Sequence, residues 1–177
     1  EEFPPLGYRE FEEQLRVAGG LGVPMLVHAE DAGVIERAPA AGGRDYGDFL
    51  RSRPRDAENL AIAQVVEAAR RTGAKAHVVH LSSADAMTTI RRARDDGASV
   101  TAETCPHYLC FTAEEISDGA TQFKCCPPIR EAGNRDLLWA GLAEGTIDMI
   151  VTDHSPCPPD LKVGDFDRAW GGISSLQ

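Results

Sequence analysis

Residues 75–84 read Lys75-Ala76-His77-Val78-Val79-His80-Leu81-Ser82-Ser83-Ala84. The short apolar run through Val79 suits a strand buried in a parallel sheet. His80 stands at its C-terminal tip. Ser82-Ser83 then reads as the N-cap region of a helix over residues 84–96, which Gly97 ends. A strand that gives way to a helix within a few residues is the repeating unit of parallel α/β folds. The C-terminal tips of such strands are where ligands and catalytic groups gather. His77 lies inside the strand and so reads as structural.

The same unit recurs on both sides. Residues 8–20 form an amphipathic helix, with Phe11, Leu15 and Ala18 on one side and Arg9, Glu12, Glu13 and Arg16 on the other. Glycines follow, and then Pro24-Met25-Leu26-Val27-His28, a strand expected to be buried on both faces. Residues 32–53 look like an irregular insertion with a short helix. Pro54 opens a long helix to about Thr72, with Leu60, Ala61, Val65 and Ala68 at helical spacing. Residues 98–103 form a third strand. Residues 105–126 are loop-rich with one short helical piece, where Thr112 and Glu115 have capping-box spacing. A helix over 134–143 and a fourth strand over 147–152 complete the pattern. Four strands are too few for a (β/α)8 barrel, which takes eight strands and about 250 residues. An open doubly wound sheet or half of a barrel remains.

Bulk properties narrow the function classes. The 177 residues are 42% hydrophobic, enough for one domain with a real core. No run approaches the ~20 apolar residues of a membrane span. The opening Glu1-Glu2-Phe3-Pro4-Pro5 has neither the basic region nor the apolar region of a signal peptide. A net charge of −10 repels a phosphate backbone, so nucleic acid and anionic membrane are excluded as partners. Cys105, Cys110, Cys125, Cys126 and Cys157 make an odd number of thiols, which points to a reducing, cytoplasmic setting. Cys105, His107 and Cys110 do not have the spacing of a zinc clip.

Three strand tips carry the chemistry. His28 ends the first strand, His80 the second and Asp153 the fourth. Singly, each is an ordinary hydrogen-bonding or turn residue. Together, two imidazoles and a carboxylate are good ligands for a divalent ion such as zinc, which polarises a carbonyl and acidifies bound water. Cys125-Cys126-Pro127-Pro128-Ile129-Arg130 is a rigid segment, either a wall that reads a ligand through main-chain groups or a plain turn. His107 either supports a metal ligand or satisfies a buried loop. Gly171-Gly172 permits close approach to a ligand or a tight turn.

Several motifs have a family resemblance. Leu26-Val27-His28-Ala29-Glu30, Val78-Val79-His80-Leu81-Ser82, Glu103-Thr104-Cys105-Pro106-His107-Tyr108-Leu109 and Thr152-Asp153-His154-Ser155-Pro156 resemble, in order, the cyclic amidohydrolases. That family includes dihydropyrimidinases, hydantoinases, dihydroorotases and allantoinases. Residues 122–130, 153–157 and 164–173 look most like the allantoinase branch.

The resemblance implies an α/β fold, half of a (β/α)8 TIM-type barrel of the metal-dependent hydrolase type. Residues 1–177 would carry strands five to eight, without the first half or the small flanking β-domain. It implies hydrolysis of the ring amide of allantoin to allantoate, a small cyclic ureide, and a homotetrameric assembly. It also implies two divalent ions, zinc the expected one, bridged by hydroxide and by a carboxylated lysine. His28 and His80 would bind one ion. Asp153 would bind the other and act as base. Cys126, Pro128, Gly171 and Gly172 would hold the substrate through the main chain.

The chain departs from this pattern in two ways. It has no H-x-H, and its lysines, Lys75, Lys124 and Lys162, do not stand where the bridging lysine belongs. It is therefore expected to be a fragment, inactive and poorly soluble alone, with a parent that supplies the missing ligands. The rival readings are a hydantoinase or dihydropyrimidinase and a non-catalytic scaffold of the same fold. A nucleotide-binding sheet is disfavoured, because no G-x-G-x-x-G or P-loop is present.

Overall fold

The structure, a computed structural model, describes residues 4–176. Glu1, Glu2 and Phe3 of the acidic opening, and Gln177, lie outside them. Four parallel strands, β1 (Met25–Val27), β2 (Ala76–Val78), β3 (Val100–Thr104) and β4 (Met149–Ile150), pair in sequence order. Met25, Ala76 and Val100 share one register row, and Glu103 pairs with Met149. Sequential parallel order requires every crossover to pass over one face, and helices fill those crossovers.

Helices α1 (Tyr8–Gly20), α2 (Ala32–Arg37), α3 (Tyr46–Ser52), α4 (Arg55–Thr72), α5 (Met87–Asp95), α6 (Pro106–Cys110) and α7 (Ala132–Ala143) complete the fold. The core lies between the sheet and α1, α4, α5 and α7. There Ala76, Val78, Val100 and Ala102 meet Leu15, Ile62, Val65, Ile90 and Leu138. Each valine, leucine or isoleucine among them contributes about 1.5–3 kcal/mol when withdrawn from water.

Three elements differ from expectation. Leu26 is 64% exposed, so β1, an edge strand, is not covered on both faces. Glu12, placed on the solvent side of α1, is buried because Arg16 at 3.0 Å and Arg71 at 2.8 Å neutralise it against α4. The insertion holds two helices, α2 and α3, and the 105–126 loop holds α6 and a 3-10 turn over Thr121–Phe123 besides the expected piece. In that piece Thr112 and Glu115 do form a capping box.

Ser83 is the N-cap of the turn that starts α5, yet neither serine caps with its hydroxyl. Ser82 Oγ donates to Glu58 at 2.5 Å and Ser83 Oγ to Asn59 at 3.0 Å, while Asn134 Oδ1 accepts the Ala84 N–H at 2.9 Å. Glu58, on α4, also takes the backbone N–H groups of Ser82 and Ser83 at 2.9 and 3.1 Å. Arg130 closes the arrangement with a 2.7 Å bond to Glu58 in which both side chains are 2% exposed.

Removing one partner of a buried, hydrogen-bonded ion pair strands the other charge and costs roughly 3–5 kcal/mol. Arg130→Met is expected to destabilise by that amount in urea unfolding. The Glu58→Gln/Arg130→Met double variant is expected to be less destabilised than the sum of the single changes. A loss under about 1 kcal/mol for Arg130→Met would remove this pair from the account of the fold.

Candidate metal centre

His28 follows β1 and His80 follows β2 by one residue more, so the parallel register brings the two tips side by side. His28 Nδ1 faces His80 Nε2 at 3.0 Å, with the rings edge to face. His80 is buried and His28 is half-exposed. His80 and Asp153 are the non-glycine residues with left-handed backbone among those described, at φ 41° and 44°. Such a conformation costs on the order of 1–3 kcal/mol and gathers at functional sites. Both residues turn the chain outward at a strand's end.

Glu30 sets the proton positions on His28. Its carboxylate receives a 3.0 Å bond from His28 Nε2 and two bonds from Arg53, at 3.1 and 2.7 Å. Burial alone would raise the Glu30 carboxyl; the bonds from His28 and Arg53 outweigh it and hold the pKa at about 2. An ionised carboxylate only accepts, so His28 Nε2 carries the hydrogen, and in the neutral ring Nδ1 presents its lone pair to His80. This is the carboxylate–imidazole support usual behind a metal-bound histidine. His80 Nδ1 is buried without a partner. Burial holds His80 below its usual range, His28 adds to this, and Asp153 opposes it.

These donors fit a zinc-class ion. Two nitrogens each at ~2.0–2.1 Å from one tetrahedral ion stand roughly 3.3 Å apart, and a small ring movement takes His28 Nδ1 and His80 Nε2 there from 3.0 Å. The lysines do not supply a bridge. Lys124 Nζ donates to the Ala169 carbonyl at 2.7 Å, and Lys162 Nζ to the carbonyls of Lys124 and Trp170 at 3.0 and 2.8 Å. Lys75 is exposed ahead of β2.

Asp153 is exposed, near His80 on one side and the buried His107 on the other. His107 is 2% exposed, its ring packs on Tyr108, and neither ring nitrogen has a partner. Burial lowers it to about 4, against the pull of Asp153, so it is a neutral imidazole. Cys105 is wholly buried; burial, then Asp153 and Glu103, push its thiol well above the usual range. His77 bonds Thr101 at 2.6 Å and Glu103 at 2.8 Å within the sheet, the structural role its position implies.

A cleft of about 1260 Å³ runs along the open edge of β1 to His28, and Glu30, Arg53, Cys126 and Gly171 line it. Pro128 is buried behind this wall, outside the lining. Residues 124–130 are held rigid by bonds from Tyr108 Oη to Pro127 O at 2.7 Å, Tyr46 Oη to Ile129 O at 2.9 Å and Gly172 N to Lys124 O at 2.9 Å. Gly172, at φ 155°, passes so close to Ser155 that a Cβ would lie 2.9 Å from the Ser155 carbonyl oxygen. It therefore shapes the loop that carries Asp153.

Sequence reasoning placed His28, His80 and Asp153 but gave no role to Glu30 or Arg53. The available signal was a carboxylate two residues beyond a strand-tip histidine. Glu30→Gln keeps the shape and removes the charge that fixes the His28 tautomer. Zinc affinity, measured by competition with a chromophoric chelator, is expected to fall about 10–100-fold. Unchanged affinity would mean that His28 does not ligate through Nδ1.

No protein-family model matches the chain. Among curated proteins, the allantoinase of Streptomyces avermitilis is 56% identical over 177 residues, covering 100% of this chain and 40% of its own length. The allantoinase of Saccharomyces cerevisiae is 49% identical over 161 residues, covering 88% of this chain and 35% of its own length. Among solved structures, a D-hydantoinase from a Bacillus sp. superposes with a TM-score of 0.87 at 29% identity, over 96% of this chain and 40% of that one. The chain thus spans about two-fifths of the length of these relatives. With its ordered motifs, parallel strand tips and imidazole pair, the chain belongs to the cyclic amidohydrolase family.

Proposed function

We propose that the protein carrying this chain hydrolyses the ring amide of allantoin to allantoate. The observation that carries the hydrolytic reading is the His28–His80 nitrogen pair, 3.0 Å apart and backed by Glu30. The choice of ring rests on the relatives named allantoinase, at up to 56% identity.

When bound, a pair of divalent ions, zinc by the donor set, supplies a polarised amide carbonyl and a water acidified toward a pKa of ~7. His28 and His80 would hold one ion and Asp153 would reach the other. A carboxylated lysine and an H-x-H pair, which these 177 residues do not contain, would complete the set from elsewhere in the full-length protein. Asp153 takes the proton of the attacking water as the C–O bond forms, and delivers it to the ring nitrogen as the C–N bond breaks. Cys126 and Gly171 face the cleft, where main-chain groups orient the ring; Pro128 and Gly172 hold that wall and the Asp153 loop from behind.

The parent fold in this reading is a (β/α)8 barrel in which β1 to β4 serve as strands five to eight. The sequential parallel order and the exposed Leu26 on β1 support it. A homotetramer in the cytoplasm completes the proposal. All five thiols are unpaired, and no helix among the described residues is long and apolar enough to cross a membrane. The superposition on a D-hydantoinase favours a second reading, a hydantoin or dihydropyrimidine ring in the same site.

The test is turnover by the full-length protein across allantoin, hydantoin and dihydrouracil. Allantoin is expected to lead, and Asp153→Asn is expected to lower its turnover at least about a hundredfold. A protein that prefers hydantoin, or an Asp153→Asn variant with full activity, would overturn the substrate or the base assignment respectively.

A further inference from the structure

Cys105, His107 and Asp153 bring a thiol sulfur, an imidazole nitrogen and a carboxylate oxygen within 4.8 Å of one another. Cys105 and His107 flank Pro106 at the start of α6, and Asp153 comes from the tip beyond β4. None of the three belongs to the His28–His80 pair. His107 is 2% exposed, and both of its ring nitrogens lack a partner. A buried imidazole with two unsatisfied nitrogens costs about 1–3 kcal/mol for each group left unpaired, so its persistence calls for a ligand.

We infer that Cys105, His107 and Asp153 form a second, thiolate-containing site for a borderline-soft divalent ion of the zinc class. Sulfur, nitrogen and oxygen donors on one ion are the set such ions take. Tetrahedral bonds of ~2.3 Å to sulfur and ~2.0–2.1 Å to nitrogen and oxygen place the donors roughly 3.3–3.6 Å apart. The cluster therefore has to contract by about an ångström, and Asp153, exposed at a loop tip, is the member free to move. Its open side is also the route of entry. On binding, the Cys105 thiol gives its proton to solvent and the thiolate joins the ion, with no change of oxidation state.

The ligand set implied by the family resemblance contains no cysteine, so this ion is additional to that centre. Both need the Asp153 carboxylate. An ion drawn onto Cys105 therefore competes with the role of Asp153 as base.

The experiment is cobalt(II) or zinc(II) binding by the full-length protein that carries these residues. Cobalt is expected to give a thiolate-to-metal charge-transfer band that is lost in Cys105→Ser and kept in Cys126→Ser and Cys157→Ser. His107→Phe is expected to weaken binding at least about tenfold. A band that survives Cys105→Ser, or one lost with Cys126, overturns the assignment. Should Cys105→Ser fail to fold, X-ray absorption on the zinc-loaded natural sequence decides alone. A sulfur neighbour at ~2.3 Å is expected, and a shell of nitrogen and oxygen only overturns the site. That failure leaves the hydrolytic reading intact, since allantoin turnover asks nothing of Cys105.

Discussion

The buried Glu58–Arg130 pair is the constraint on which the rest of the chain depends. Taking two charges out of water costs several kcal/mol per ion, and only complete hydrogen bonding recovers it. Here the bonding is complete because three separate segments converge. Glu58 comes from α4, the N–H groups of Ser82 and Ser83 from the turn after β2, and Arg130 from the end of the cysteine–proline wall. Arg130 also donates to the Arg53 carbonyl at 2.9 Å, and Asn134 ties the Ser82 carbonyl to α7 at 2.8 Å. His80 sits two residues before Ser82, so its strained backbone is set by this anchor. The wall that carries Cys126 is set by the same anchor from the other side.

A second layer of order comes from phenols used as posts. Tyr46 and Tyr108 are buried side chains whose hydroxyls each hold one carbonyl of residues 127–129. Tyr46 stands in an aromatic cluster with Phe49 and Phe166. The insertion before α4 is thus a support for the wall, and it brings Arg53 to Glu30 as well. A mobile segment could not hold a carboxylate behind His28 at 1% side-chain exposure. The left-handed backbones of His80 and Asp153 need such surroundings, because strain of this kind persists only where neighbours over-determine it.

Much of this was legible in the sequence. The positions of the strands, the long helix after Pro54, the capping box at Thr112 and the three polar tips follow from periodicity and from where apolar runs stop, while the choice between a half-barrel and an open sheet came from the family resemblance. These are local signals. The exposure of Leu26 was not legible, because an apolar residue in a short strand looks the same whether or not another layer covers it. Glu12 looked like solvent-facing charge because its partner Arg71 lies on another helix. The serine hydroxyls after β2 had the look of helix caps, and only the buried Glu58 redirected them. The common cause is that charge pairing across the fold overrides local propensity.

The same limit applies to Cys105 and His107. Their spacing with Cys110 is not that of a zinc clip, and Cys110 is exposed. The third donor comes from a different strand tip, which no spacing rule reaches. Asp153 thereby stands between two imidazole environments. His80 is buried beside it in a pair already completed by His28, while His107 is buried beside it with both nitrogens open. An exposed carboxylate on a strained loop tip can swing to either at small cost. Which side holds it depends on how firmly the neighbouring loop fixes its backbone. That loop is the one Gly172 packs beneath and Ser175 bonds through the Thr152 carbonyl. The close passage of Gly172 against Ser155 then bears on chemistry as well as on packing, because any side chain there would force Ser155, two residues from Asp153, to shift.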